Sequence, residues 1–103
     1  MKLVAVTACP TGIAHTYMAA EQLERAAKKM GYSIKVETQG AMGIENELAE
    51  EEINQAEAVI LAVGISIQKP ERFEGKKIFE FSVQEAIKNA EGILQKVKEK
   101  IGG

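Results

Sequence analysis

The chain has 103 residues, of which 46% are hydrophobic and 27% are charged, and this excludes a disordered or fibrous protein and predicts one compact domain over residues 1–103. The 13 basic and 15 acidic residues give a net charge of −2, which argues against nucleic acid as a partner. A single cysteine and a single histidine exclude an internal disulfide and are too few ligands for a structural zinc site.

The first half of the chain predicts alternating strands and helices. Residues 2–8 are mostly apolar and rich in β-branched side chains, which is typical of a strand buried on both faces. Residues 14–30 repeat apolar positions every three or four residues and stop at a glycine, which predicts a helix. Residues 32–37 alternate apolar and polar side chains, which predicts a strand at an edge of the sheet with one solvent-facing side.

A loop and a short helix are predicted next. Residues 39–46 contain two glycines and no clear period, which indicates a loop. Residues 47–55 are polar and favour a helix. This helix is expected to bury the nearby apolar residues Leu48, Ile53 and Ala56.

The second half of the chain predicts two more strands and the last helix. Residues 58–63 form a continuous apolar run, which predicts a central parallel strand. Residues 65–75 are a connector, and residues 77–81 predict a fourth strand. Ser82 and Glu85 have the spacing of a capping box, which places a helix start there. Its apolar stripe consists of Val83, Ile87, Ala90, Leu94, Val97 and Ile101.

Together these elements predict an α/β fold. The expected architecture is a four-stranded, mostly parallel open sheet with strand order 2-1-3-4, covered by about three helices. Open sheets of this kind bind ligands beyond the carboxyl ends of their strands, where the chain order reverses. Cys9 follows the first strand and is therefore expected at this position.

The segment that joins the first strand to the first helix is the candidate site. Backbone N–H groups at a helix start bind anions, and the helix N-terminus carries roughly half a positive charge that stabilises a thiolate or a phosphoryl group. We therefore interpret Cys9 as the reactive residue, followed by a phosphate-binding loop. The loop consists of Pro10, Thr11, Gly12, Ile13, Ala14, His15 and Thr16.

Each of these residues also has a purely structural interpretation. Cys9 is then a small buried hydrophobic residue, and His15 faces solvent. Thr11 and Thr16 are then ordinary capping residues of the helix start. The position of the cysteine at a strand end favours the reactive interpretation.

The spacing differs from that of cysteine-dependent phosphatases. Those enzymes place an arginine after five residues, where this chain has His15. A phosphatase needs the bidentate guanidinium to hold the phosphoryl group through both chemical steps. Its absence favours a loop that accepts a phosphoryl group and passes it on over one that hydrolyses it.

Several sequence stretches resemble the enzyme IIB domain of the fructose-type bacterial sugar phosphotransferase system. They are residues 5–16, AVTACPTGIAHT, residues 18–21, MAAE, residues 35–40, KVETQG, and residues 58–62, AVILA, and the length of the chain covers a whole domain of this kind. It implies that Cys9 accepts a phosphoryl group from a phosphohistidine of the IIA component and transfers it to fructose, or a fructose-like sugar, held by the membrane-embedded IIC component. It implies no cofactor and no metal.

The residues around the strand ends leave the subgroup and the sugar open. Many members of that family have acidic residues after the third strand, where this chain has Gly64, Ser66 and Gln68. After the second strand, a set of three residues has two interpretations, as a border of the phosphate site or as a plain strand exit. These residues are Thr38, Gln39 and Gly40.

The predicted cellular location of the chain follows from its predicted partners. IIA and IIC are predicted to bind in turn to one patch around Pro10, Ile13 and Tyr17, and the chain alone is predicted to be monomeric. Too few residues precede Cys9 for a signal peptide, so a cytoplasmic protein associated with the inner face of the membrane through IIC is expected. Two other functions remain open: a cysteine-dependent phosphatase or arsenate reductase-like enzyme, and a non-catalytic module that binds a phosphoprotein.

Overall fold

A computed structural model describes residues 1–9 and 13–102. Its elements follow one another as β1 (Lys2–Ala8), α1 (Ile13–Met30), β2 (Ser33–Gly40), β3 (Gly43–Glu45), α2 (Glu50–Gln55), β4 (Ala58–Val63), a 3₁₀ helix (Pro70–Phe73), β5 (Ile78–Phe81) and α3 (Val83–Ile101).

The predicted α/β fold with a mostly parallel sheet is confirmed. In the part of the chain that is described, the strands form one five-stranded sheet of order β3-β2-β1-β4-β5. Strand β1 runs parallel to β2 and β4, and β4 runs parallel to β5. The predicted order 2-1-3-4 corresponds to the four strands β2-β1-β4-β5.

The prediction of four strands is wrong by one, because residues 39–46 are not only a loop. The chain turns back after Gly40, and Gly43–Glu45 pairs antiparallel with β2 as β3. Gly43 has a φ of 85°, a backbone conformation that glycine adopts without strain. A strand of 3 residues is too short to show an alternating pattern in the sequence.

The prediction that β2 is an edge strand with one solvent-facing side is correct for its first half and wrong for its second half. Strand β3 pairs with residues 38–40, the last three residues of β2, and the side chain of Glu37, on the face expected to be wet, is 0% exposed. That face is closed by the segment before α2, where the backbone N–H of Leu48 donates to Glu37 Oε1 over 3.0 Å. On the same face Ser33 is exposed and the Lys35 side chain is 40% exposed, so this face is open to solvent at the start of β2 and closed at Glu37.

The sheet has helices on both faces. Helices α1 and α3 pack on one face over a core that includes Leu3, Ala5, Leu23, Ile60, Ile93 and Leu94. Helix α2 and the 3₁₀ helix cover the other face, whose core consists of Val4, Val6, Leu48, Ile53, Ala56, Val59, Leu61 and Phe73. Successive residues of a strand point to opposite faces, so β1 and β4 are buried on both sides, as predicted.

The helix ends agree with the capping signals. Helix α1 ends at Met30, before Gly31, as predicted. In the predicted capping box of α3, Ser82 Oγ accepts from the backbone N–H of Glu85 over 3.1 Å, and Glu85 Oε1 accepts from the backbone N–H of Ser82 over 3.2 Å. An unpredicted kink interrupts α3 at Asn89, whose φ is −150°.

The remaining helical segments differ slightly from the prediction. Helix α2 begins at Glu50 instead of residue 47, but Leu48, Ile53 and Ala56 are buried as expected. The connector 65–75 contains the 3₁₀ helix, which buries Phe73 against the sheet. Among the described helices, none is long and apolar enough to cross a membrane.

Candidate functional site

Three segments of the chain meet at the carboxyl ends of the parallel strands. Ala8, the last residue of β1, is level with Gln39 in β2 and with Val63 in β4. The backbone N–H of Gly64 donates to the carbonyl of Ala8 over 2.8 Å. The segments after β1, β2 and β4 therefore begin side by side, and Cys9 lies in the middle one.

Cys9 is mostly buried directly after β1. Its side chain is 8% exposed and belongs to the core on the α1 and α3 side of the sheet. Helix α1 begins at Ile13, four positions later. The cysteine therefore precedes a helix start at the central strand end, where the sequence analysis expected a reactive thiol.

The structure describes part of the predicted phosphate-binding loop. Pro10, Thr11 and Gly12 lie outside the described residues, as does the side chain of Ile13. Ala14 and His15 are exposed in the first turn of α1. Thr16 is 2% exposed and points into the protein, so the loop has a buried hydroxyl on its inner side.

Three buried threonines, Thr7, Thr16 and Thr38, lie near the start of α1 and the ends of β1 and β2. Thr7 Oγ1 donates to the backbone carbonyl of Thr16 over 3.1 Å, which fastens the first turns of α1 to β1. Thr7 is level with Thr38 of β2, whose side chain is 3% exposed. Within residues 1–9 and 13–102, Thr16 Oγ1 and Thr38 Oγ1 have no hydrogen-bond partner.

The three residues considered as a border of the phosphate site lie on two sides of the sheet. Thr38 and Gly40 share the α1 side with Val36, since side chains alternate along β2. A Cβ added to Gly40 would lie 3.9 Å from Thr16 Oγ1, so this backbone approaches the start of α1 closely. Gln39 points to the other side, where its amide Nε2 donates to the backbone carbonyl of Gln68 over 3.2 Å.

The opposite face carries a buried ion pair that the sequence analysis missed. Arg72 donates to both carboxylate oxygens of Glu37, over 2.7 Å and 2.8 Å. Gln39 Nε2 donates to the same carboxylate over 2.7 Å. The sequence offered one signal, which is that Glu37 and Gln39 point to the same face of β2. No local pattern indicated that Glu37 binds an arginine 35 positions later.

The hydrogen bonds at Glu37 outweigh the cost of its burial. Desolvation by burial raises the pKa of this carboxyl, whereas the bonds from Arg72, Gln39 and the backbone N–H of Leu48 lower it. The net result is a pKa below the ordinary value of glutamate. Glu37 is therefore a charged group in the interior, held by donors from three segments.

Four exposed apolar side chains lie on segments that adjoin the strand ends. We call them together the strand-end surface, and they are Tyr17, Met18, Met42 and Ile65. Tyr17 and Met18 lie in the first half of α1, Met42 lies in the turn between β2 and β3, and Ile65 follows β4. The Tyr17 hydroxyl donates to the Glu45 carboxylate, and this bond raises the pKa of Tyr17.

The acid groups of the described chain do not form a metal site. Among residues 1–9 and 13–102, no group of three or more His, Cys, Asp or Glu side chains could hold a metal ion. The chemistry that the described arrangement supports is that of a thiol close to a helix start.

The chain is similar to known proteins over nearly its whole length. The family model described as the lactose/cellobiose-specific IIB subunit of the PTS system matches residues 4–96. The PTS system fructose-like EIIB component 2 of Escherichia coli K12 is 53% identical over 97 residues, which cover 94% of this chain and 92% of that protein.

Two solved structures agree with this similarity. The enzyme IIB subunit of a PTS system from Escherichia coli K12 superposes with a TM-score of 0.92 at 48% identity, covering 98% of this chain and 94% of that one. A domain of the fructose-specific IIABC component from Borrelia burgdorferi gives a TM-score of 0.86 at 57% identity, covering 91% and 89% of the two chains.

Proposed function

The chain belongs to the IIB components of the sugar phosphotransferase system, and from this premise we propose that it is a fructose-type phosphoryl carrier in which Cys9 holds the phosphoryl group. Its relatives are named as fructose-like IIB components. The observation that carries the proposal is the position of the chain's single cysteine, directly after the central parallel strand and before a helix start.

The surroundings of Cys9 suit a transient phosphoryl group. The start of α1 supplies backbone N–H groups and the positive end of the helix dipole, both of which stabilise a phosphoryl group. The proposed phosphate-binding residues are Pro10, Thr11, Gly12, Ile13, Ala14, His15 and Thr16. The buried Thr16 hydroxyl supports this assignment, because a phosphoryl oxygen would give it the partner that the described residues do not.

The proposed reaction is two in-line transfers. The Cys9 thiolate attacks the phosphorus of a phosphohistidine on the IIA component, so that an S–P bond forms while the N–P bond breaks and the imidazole keeps the electron pair. A sugar hydroxyl held by the IIC component then attacks the same phosphorus. An O–P bond forms, the S–P bond breaks, and a base on IIC takes the hydroxyl proton.

The strand-end surface is the proposed contact with both protein partners. Of the patch predicted from the sequence, Tyr17 is 39% exposed and belongs to this surface, whereas Pro10 and the Ile13 side chain lie outside the described part. Met18, Met42 and Ile65 extend it. One sulfur must face IIA and IIC in turn, so both contacts are proposed to be short-lived, with a monomeric IIB chain held at the membrane through IIC.

The test is intact mass after mixing the protein with phosphoenolpyruvate, the general phosphocarrier proteins and a fructose-type IIA. A single added phosphoryl group that is absent from Cys9→Ser supports the proposal. A known fructose-type IIB domain serves as the control for the donor chain. Charging of that control while this chain stays unmodified would refute the proposal.

Two further assays of the wild-type chain and Cys9→Ser test the two other functions that the sequence analysis considered. Hydrolysis of an aryl phosphate that Cys9→Ser abolishes would indicate a cysteine-dependent phosphatase. Binding of the phosphorylated partner that Cys9→Ser leaves unchanged, without any transfer, would indicate a non-catalytic binding module.

A further inference from the structure

The segment after β4 has few packing contacts that define its shape. We call residues 64–69 the rim loop. Ile65 is exposed at its start, and only Ile67 is packed against the core of that face. The loop borders an open groove of about 530 Å³, which is also lined by Val63, Phe73 and Ile78. One face of the loop is therefore not covered by other parts of the described chain.

Hydrogen bonds from β2 supply the missing constraint. Gln39 Oε1 accepts from the backbone N–H of Gln68 over 2.7 Å, and Gln39 Nε2 donates to the backbone carbonyl of Gln68 over 3.2 Å. The Gln39 amide thus satisfies both main-chain groups of one loop residue. Its own orientation is set by Glu37, which accepts from Nε2 over 2.7 Å.

Arg72 holds the far end of the same loop. Its Nε donates to the carbonyl of Lys69 over 2.8 Å, while its two other nitrogens bind Glu37. Lys69 has a φ of 57°, which is unfavourable for a residue with a side chain. Such a conformation persists only where the surroundings enforce it. Two contacts hold it here, the bond from Arg72 Nε to the Lys69 carbonyl and the ion pair between Lys69 Nζ and Glu47 over 2.7 Å.

The near end of the rim loop is joined to the cysteine segment. The backbone N–H of Gly64 donates to the carbonyl of Ala8, the residue before Cys9. Ile65, the next residue of the loop, is 44% exposed, and it follows the strand end that is level with Ala8. The loop is therefore fixed at one end by Ala8 and at the other by a buried cluster on the opposite face of the sheet.

We propose that Gln39, with Glu37 and Arg72, is a positioning residue that fixes the rim loop in the conformation recognised by the protein that donates the phosphoryl group. This inference rests on the proposed carrier function. The Gln39 side chain bonds to Glu37 and to the backbone of Gln68, on the face of the sheet opposite to the core in which Cys9 packs, so we infer that it acts through the loop. Its effect is on docking of the donor and not on the reactivity of Cys9.

The experiment compares Gln39→Ala with the wild-type chain and with Gln55→Ala. Gln55 is the matched control, because its amide accepts from Lys2 at the start of β1, at the other end of the sheet. Three quantities are measured in each protein: amide hydrogen exchange of Gln68, alkylation of Cys9 by iodoacetamide, and steady-state phosphoryl transfer from a phosphorylated fructose-type IIA. Ile65→Asp tests independently whether the donor contacts the loop.

In Gln39→Ala, exchange at Gln68 should accelerate about tenfold and the KM for the phosphorylated donor should rise about tenfold, while kcat stays within about twofold. Cys9 alkylation should not change. Ile65→Asp should raise the same KM without affecting exchange at Gln68. Gln55→Ala should match the wild type in all three measurements.

Each contrary result has a separate meaning. A wild-type chain that accepts no phosphoryl group refutes the proposed carrier function. A wild-type chain that is phosphorylated, together with an unchanged KM in Gln39→Ala or in Ile65→Asp, refutes only the positioning role. A change in Cys9 alkylation in Gln39→Ala also refutes it, because Gln39 would then act on the thiol itself.

Discussion

The Glu37–Arg72 ion pair predicts a large and pH-dependent loss of stability in Arg72→Met. The Arg72 side chain is 15% exposed and that of Glu37 is 0% exposed, so the substitution leaves a negative charge in the interior. Removing one partner of a buried pair costs about 3–5 kcal/mol. Because Gln39 and the backbone N–H of Leu48 still bind Glu37, we expect the lower end of this range, about 3 kcal/mol.

The pH dependence of this loss has a defined sign. In the wild type the folded-state pKa of Glu37 is lowered, so its stabilisation is present at neutral pH and is lost as pH falls through that pKa. In Arg72→Met the unpaired buried carboxylate gains stability when it takes up a proton. The difference in unfolding free energy between the two proteins should therefore shrink between pH 7 and about pH 4.

Urea unfolding followed by circular dichroism at both pH values measures this effect. With an m-value of about 1.5 kcal/mol/M, the midpoint of Arg72→Met at pH 7 should fall by roughly 2 M. Arg25→Met is the matched control, because Arg25 pairs with Glu21 on the surface, where both side chains are more than half exposed. Equal midpoints for the two variants, or a difference that does not shrink in acid, would refute the reasoning.

Three further substitutions test other features. Ser82→Ala removes the cap that accepts from Glu85 and should cost about 1 kcal/mol in urea unfolding. Thr38→Val replaces a buried hydroxyl without a described partner and should leave the melting temperature unchanged or raise it, so that a clear decrease would reveal a partner. Gly92→Ala should lack the usual helix gain of about 1 kcal/mol, because its Cβ would lie 2.3 Å from Asn89 Nδ2 and displace the Asn89 side chain, whose Oδ1 accepts from the backbone N–H of Gly92, a cap worth about 1 kcal/mol. In an Asn89→Ala background the same substitution should show the full gain.

The parts of the fold that were predictable depend on local patterns. The buried strand around Ala5, the central strand around Ile60 and the capping box at Ser82 each left a signal within a few residues. Cys9 was placed correctly because a strand followed by a loop and a helix start is itself local. These features needed no knowledge of distant contacts.

The features that were missed depend on residues far apart in the chain. Glu37 looked like a solvent-facing strand residue, since nothing near it indicates that Arg72 and the backbone of Leu48 neutralise its burial cost. Strand β3 follows a turn of two residues and exists only because β2 offers an unpaired edge. Such tertiary pairings override local polarity and cannot be read from periodicity.

The way in which Gln39 holds the rim loop bears on how such a protein diversifies. The amide binds main-chain atoms of Gln68, so this contact does not depend on the Gln68 side chain. Substitutions of Ser66 and Gln68 should therefore preserve the loop geometry, provided that Glu37, Gln39 and Arg72 stay. Loop sequences that keep the packing of Ile67 and the ion pair of Lys69 should be exchangeable between chains that have these three supporting residues.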